Sequence, residues 1–256
     1  MLLMNQTQFN RARNYIMQHG RPLERALFIY HFEGGSSETV IQVLADHQNE
    51  DGGFERMGEG DESCSSPIGT CAAFRILGDL RIPADNVLVR RGVSYFLNSY
   101  DDDLNYWFPD LQRKNPPDDQ FDYLWGNPSA EIVGYLHEYA EIVPADFLDK
   151  VTSKSMDNLR QSPRPLEMFS ELCFLMLADR ISTPYASEII DELRSEIRTV
   201  ASLDPADWDG YFAKPIWYGS NPSSQLYDMI EHEVQLNLGF LLNERYIWLK
   251  GWPTVI

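Results

Sequence analysis

Residues 47–77 read HQNEDGGFERMGEGDESCSSPIGTCAAFRIL, and their reading decides the fold. Gln48 opens the stretch, Asp51-Gly52-Gly53-Phe54 follow, and Ser65-Ser66-Pro67 lead into an apolar run. Paired glycines after a helical segment mark a stop, because glycine takes φ > 0 without steric cost. Asp-Gly is also a hairpin signal, but the flanks 40–47 and 70–77 carry apolar residues at helical rather than alternating spacing. Ser66 suits an N-cap and Pro67 the first helical position, where its missing N–H costs nothing. The stretch therefore predicts helix, glycine turn, polar loop and helix.

Outward from it, the chain reads as helix after helix, with no alternating strand. Helices are expected over 9–18 and 22–32. A third is capped by Ser37 and carries Val40, Ile41, Leu44 and Ala45. Others follow over 67–80, 85–99, 128–142, 145–160, 166–180, 185–201 and 222–243. The class is all-α, with about ten helices in one domain, 1–256. Asn127-Pro128-Ser129-Ala130-Glu131 and Asn221-Pro222-Ser223-Ser224-Gln225 are near copies, each a few residues after a tryptophan, Trp125 and Trp217. Such recurrence is expected of helical-hairpin arrays, in which each unit covers its neighbour's apolar face. Short links at 79–84, 142–145 and 181–184 alternate with long ones at 47–66, 100–127 and 202–221. The long loops should thus gather at one end, together with the helix N-termini, whose dipoles favour an anion.

Gln48, Asp51-Gly52-Gly53-Phe54, Ser65-Ser66-Pro67 and Thr70 together resemble the repeat of the terpenoid-cyclase and protein-prenyltransferase superfamily. The resemblance is close over about thirty residues. It implies an α/α toroid, complete or incomplete, in which an outer ring of helices surrounds an inner ring and its cavity. It also implies an isoprenoid or other apolar ligand at the long-loop face.

The reaction is left open by what the sequence lacks. The D-x-D-D string of alkene-protonating cyclases is absent. The zinc set of the prenyltransferases is an Asp, a Cys and a His, and Gly69 stands where the His belongs. Asp61 and Cys64 are near that position, but His47, His137 and His232 are remote in sequence. Catalytic zinc needs three protein ligands, so no metal and no cofactor are expected. Asp118-Asp119-Gln120-Phe121-Asp122 matches D-D-x-x-D, which holds magnesium and diphosphate in class I terpene synthases. That motif works from a helix, where positions three and four apart share a face, whereas Pro116 and Pro117 precede it here.

The candidate catalytic acids are Asp118, Asp119, Asp122 and Glu131, the last in the first turn of an expected helix. The candidate ligand-binding residues are Trp107, Trp125, Trp208, Tyr211, Trp217 and Gln225. Large rings in polar loops can line an isoprenoid pocket or stack on sugars; they can equally plug loops onto the body. Two alternatives therefore stand beside the isoprenoid reading. One is a carbohydrate-active enzyme with paired carboxylates. The other is a non-catalytic binding or scaffold protein.

Charge narrows the partners. With 39 acidic and 21 basic residues the formal net charge is −18, which repels nucleic acid and anionic membranes. No apolar run approaches the ~18 residues needed to span a bilayer, so membrane insertion is not expected. Three cysteines without C-x-x-C spacing argue for a reducing compartment. The start has no basic residue before its short apolar run, unlike a signal peptide. A cytoplasmic protein with a small-molecule ligand is the expectation.

Overall fold

The computed structural model describes residues 4–55, 57, 64–108, 125–208, 210 and 212–243. Among them every regular element is a helix: α1 Gln6–His19, α2 Pro22–Glu33, α3 Ser37–Ala45, α4 Pro67–Asp79, α5 Val87–Ser99, α6 Gly126–Glu138, α7 Ala145–Gln161, α8 Met168–Ala178, α9 Tyr185–Val200, α10 Pro215–Tyr218 and α11 Tyr227–Asn243. Single 3-10 turns lie at Ala140–Ile142 and Pro205–Asp207. No helix among the described residues is long and apolar enough to cross a membrane.

Burial orders the helices. Ten of the 13 residues of α6 are buried, whereas α1 buries none. Helix α6 packs on α4 and α8, and these three carry α5, α7 and α9 as hairpin partners. The row α4–α6–α8 runs parallel. Gly78, Glu138 and Arg180, at or just past the three C-termini, come together at one end. The second row is stitched by ring contacts and ion pairs. Tyr100 lies 5.2 Å from Phe147, Lys150 Nζ is 2.7 Å from Asp102, and Arg160 is 2.6 Å from Glu188. Exposed pairs of this kind contribute under ~1 kcal/mol each; the apolar core supplies the stability.

The glycine turn holds three elements together. Helix α3 ends at Ala45, earlier than the paired glycines suggest, and residues 48–54 form a loop closed by one antiparallel bridge, Gln48 to Phe54. Gln48 Nε2 donates to Gly52 O and to Leu88 O on α5, each at 3.0 Å. Asp51 Oδ1 accepts from Gly53 N at 3.0 Å and from Ser65 Oγ at 2.7 Å. Phe54 is wholly buried, and its N–H donates to Thr70 Oγ1 in the first turn of α4. Ser66 caps α4 through Gly69 N at 3.0 Å, with Pro67 at the first position.

Several expected boundaries move for local reasons. Ser36, not Ser37, caps α3 by accepting from Thr39 N. Asn86 caps α5 and delays its start to Val87. The expected helix 128–142 ends at Glu138, and a 3-10 turn completes it. The expected helix start at Pro222 is a turn: Asn221 accepts from Ser223 N at 2.9 Å through its side chain and from Ser224 N at 3.0 Å through its carbonyl. Asparagine serves an N-cap and such a turn equally well.

Helix α11 lies along the second row and not, as expected, beside α8. Arg194 pairs with Asp228 and Arg198 with Glu233, so the pairs advance together along α9 and α11, and the two helices run parallel. The place beside α8 is filled by the four-residue α10 and the irregular chain after it.

Gly52 and Gly34 separate conformational strain from steric clash. Both have positive φ, +93° and +73°. A Cβ on Gly52 would lie 2.3 Å from Arg91 O, whereas one on Gly34 would meet nothing within 4 Å. Gly34→Ala should cost about 1 kcal/mol, and Gly52→Ala about 3 kcal/mol or more. Urea midpoints that fall equally for the two variants would refute this account of the turn.

Candidate functional site

The row α4–α6–α8 converges on Glu131. Helix α6 presents Glu131 and Tyr135 on one face, four residues apart, and α4 brings up Arg75. Arg75 Nε donates to Glu131 Oε1 at 2.7 Å and Nη2 to Oε2 at 2.8 Å, a bidentate pair. Tyr135 Oη donates to Oε1 at 2.8 Å. From α8, Cys173 Sγ lies 3.9 Å from Oε2 and 3.8 Å from Asn127 Oδ1. Arg180 stands over the Tyr135 ring at 4.7 Å and donates to Glu138 Oε2 at 2.8 Å.

The electrostatics follow from burial. Glu131 is 1% exposed. Burial pushes its carboxyl up, but the charge and hydrogen bonds of Arg75, with the Tyr135 hydroxyl, hold it below the usual carboxylate value on balance. Glu131 is thus an anion with its oxygens occupied, and it has no proton to give. Burial pushes the Cys71 and Cys173 thiols up, and Glu131 adds to this in both. Both are held as neutral thiols, which are poor nucleophiles. Among the described residues no group of three or more His, Cys, Asp or Glu is placed to hold a metal ion.

A second buried carboxyl behaves in the opposite way. Glu171, in the first turn of α8, is fully buried and accepts from Tyr218 Oη at 2.9 Å. Its Oε1 has no hydrogen-bond partner. Burial raises its pKa to about 8, Glu196 and Glu167 push the same way, and Tyr218 and Arg164 oppose. Glu171 is therefore neutral at pH 7.

The other candidates separate. Trp107, Trp125 and Trp208 are closed to solvent, and each Nε1 donates to a carbonyl: Phe96 O at 2.7 Å, Asn105 O at 2.8 Å and Ser202 O at 2.7 Å. Trp107 and Trp125 come together where the 100–108 loop meets α5 and α6; Trp208 packs edge-on against Phe240 of α11. These rings pin loops to the body rather than wall a recess. Trp217 is half-buried beneath Lys214. Gln225 is exposed and donates to Asp179 at the far, C-terminal end of α8. Gln225 does not repeat the placement of Glu131, because α11 is not a further copy of α6. Asp118, Asp119, Asp122 and Tyr211 lie outside the described residues.

An open depression of about 320 Å³ lies at the short-link end, lined by Gly78, Asp79, Glu138, Asp179 and Arg180. A different surface borders Glu131. On α4, Ile68, Ala72, Arg75 and Asp79 share a face, and Ile68 is 36% exposed. On α8, Phe169, Leu172, Met176 and Arg180 share a face, and all four are half-buried. Arg75 and Arg180 both reach the Glu131–Tyr135 face of α6, so the two stripes flank it. The result is a largely apolar strip over a polar floor.

Sequence reasoning found Glu131 and missed Arg75, Tyr135, Cys173, Glu171 and Tyr218. A signal existed: Arg75 and Glu171 are isolated charges inside the apolar runs CAAFRIL and FSELCFL, and such charges almost always have partners.

Glu131→Gln should destabilise by about 3 kcal/mol, because it strands Arg75. The double variant Arg75→Met with Glu131→Leu should recover most of that loss in urea unfolding. The Glu131 contribution is present above the ordinary carboxylate pKa and is lost as pH falls through the depressed folded value. A single variant as stable as wild type at pH 7 and pH 4 would contradict this. No protein-family model matches the chain, and no curated protein or solved structure is significantly similar to it.

Proposed function

We propose that the chain is an α/α toroid of the terpenoid-cyclase and prenyltransferase kind, complete or incomplete, that binds an isoprenoid or other apolar ligand. The observation that carries the reading is the apolar strip of Ile68, Ala72, Leu172 and Met176 over the closed Arg75–Glu131 floor. Apolar walls with few polar groups suit a hydrocarbon chain. The N-termini of α4 and α6 lie at one end of the strip, where their dipoles favour an anionic head such as diphosphate.

Glu131 is set aside as a catalytic acid on the chemistry of the floor. A cyclase-type acid must deliver a proton, and Glu131 is held ionised by Arg75 and Tyr135. The Glu131 carboxylate is too fully occupied to position water against a sugar.

The test is thermal shift with farnesyl diphosphate in one arm and a linear oligosaccharide in the other. A ligand that binds only the folded state at a hundred times its Kd adds about 2.7 kcal/mol, several degrees in Tm. Farnesyl diphosphate should produce that shift, and Ile68→Asp and Leu172→Asp should reduce it while the unliganded Tm stays within a few degrees. An oligosaccharide shift alone would replace this reading with the carbohydrate one. No shift from either would leave a scaffold.

A further inference from the structure

Helices α1 and α2 leave an apolar face open at the N-terminal edge. No residue of α1 is buried, and its apolar side, Phe9, Ala12 and Ile16, is half-buried. Asn10, Asn14 and Gln18 stand exposed on the opposite side of α1. The uncovered apolar surface thus lies on the seam with α2, not on the back of α1. Helix α2 buries Leu23, Ala26, Leu27 and Phe28, and beside them it exposes Pro22, Arg25, Ile29 and Phe32. Ile29 is 37% and Phe32 64% exposed. These four positions recur three, four and three residues apart, the heptad seam of a helix that packs lengthwise on another. The Phe32 ring carries the seam onto α1, with its centroid 5.9 Å from that of Phe9 and 5.0 Å from that of Phe28.

Charge restricts what can cover this face. Residues 4–33 carry Arg11, Arg13, Arg21 and Arg25 against Glu24 and Glu33, a positive hairpin on a chain of net charge −18. Arg21 pairs with Glu24, and Arg13 with Glu33. Arg25 donates to Gly20 O at 2.8 Å and, among the described residues, pairs with no carboxylate. Arg25 lies four residues before Ile29, Phe32 three after it and Glu33 four after it. The stripe is therefore complementary to itself turned end for end. Two antiparallel copies of α2 with Ile29 at the two-fold axis set Arg25 of each beside the Phe32 ring and the Glu33 carboxylate of the other. A carboxylate has about four acceptor sites, so Glu33 can serve Arg13 and the second arginine together. A parallel pairing would set arginine on arginine and glutamate on glutamate.

We propose that the α1–α2 hairpin is a self-association surface, on which a second copy of this chain lays its own Pro22–Arg25–Ile29–Phe32 seam antiparallel, forming an intermolecular four-helix bundle. The contact is isologous and closes at the dimer. The negative charge that opposes association resides in the rest of the chain, which attracts the positive hairpin of the other copy. The strip over Glu131 takes no part, so this surface stands or falls apart from the ligand reading.

The experiment is sedimentation velocity on the full chain from about 1 to 100 μM. The wild type should pass from monomer to dimer and stop there. Ile29→Asp and Phe32→Asp should each raise the dimer Kd at least tenfold and leave Tm within a few degrees, because both side chains are exposed. Arg25→Glu should weaken the dimer, and Arg25→Lys should largely preserve it. Orientation is read by cross-linking under copper-catalysed air oxidation in a Cys64→Ser background, since the other two cysteines are buried. Ile29→Cys should link the dimer. Pro22→Cys should not, because the two copies of residue 22 lie about 20 Å apart along antiparallel helices. A monomer at every concentration, assembly beyond the dimer, a dimer indifferent to Ile29→Asp and Phe32→Asp, or equal cross-linking at positions 22 and 29 would each overturn the proposal. Should a variant fail to fold, hydrogen exchange on the wild type decides: protection in α1 and α2 must rise with concentration while that in α6 stays constant.

Discussion

The bidentate pair between Arg75 and Glu131 is the constraint around which the inner helices are arranged. A carboxylate 1% exposed is tolerable only if its charge is met and its oxygens are bonded. Meeting it takes a guanidinium from α4, a hydroxyl one turn along α6 and a thiol from α8. Each demand fixes a helix: the rotation of α4, the register of α6, and the height at which α8 crosses. Arg180 repeats the arrangement one turn on, covering Tyr135 from the other side. Hydrophobic burial drives the row together, and the ion pair selects among the ways it could pack.

Glu131 and Glu171 occupy similar places on neighbouring helices and titrate in opposite directions. Both are desolvated. What differs is the partner, an arginine for one and a tyrosine for the other. Helix position therefore says little about charge state.

The helical class and most helix cores were legible, because apolar residues recur at helical spacing and because Ser66-Pro67 marks a true start, while Asn127-Pro128 falls just inside α6 without capping it. Asn221-Pro222 carried the same two residues into a turn. Nothing local distinguishes the cases, since the outcome depends on whether α8 offers a place for another inner helix. Glu131 was legible as an acid of interest, but its role was not. Its partner lies 56 residues away, and pairing over that distance is a property of the fold. The tryptophans illustrate the same limit. A ring in a polar loop reads alike whether it walls a pocket or anchors the loop, and the carbonyls that receive Trp107, Trp125 and Trp208 become visible only in three dimensions.

The four-residue α10 beside α8 sets how the molecule comes apart. In a hairpin array each unit is braced on both sides, and loss of one exposes the apolar faces of two neighbours. Here the place beside α8 is taken by chain without a long helix, held by buried Ala213, Tyr218 and Leu226 and by bonds such as Arg194 to Gln225 O and Gln225 to Asp179. Such bonds break singly, without the all-or-none penalty of parting two helix faces. Parting that stretch from α8 therefore separates no pair of long helix faces, whereas α4, α6 and α8, tied by their central ion pair, can only part together.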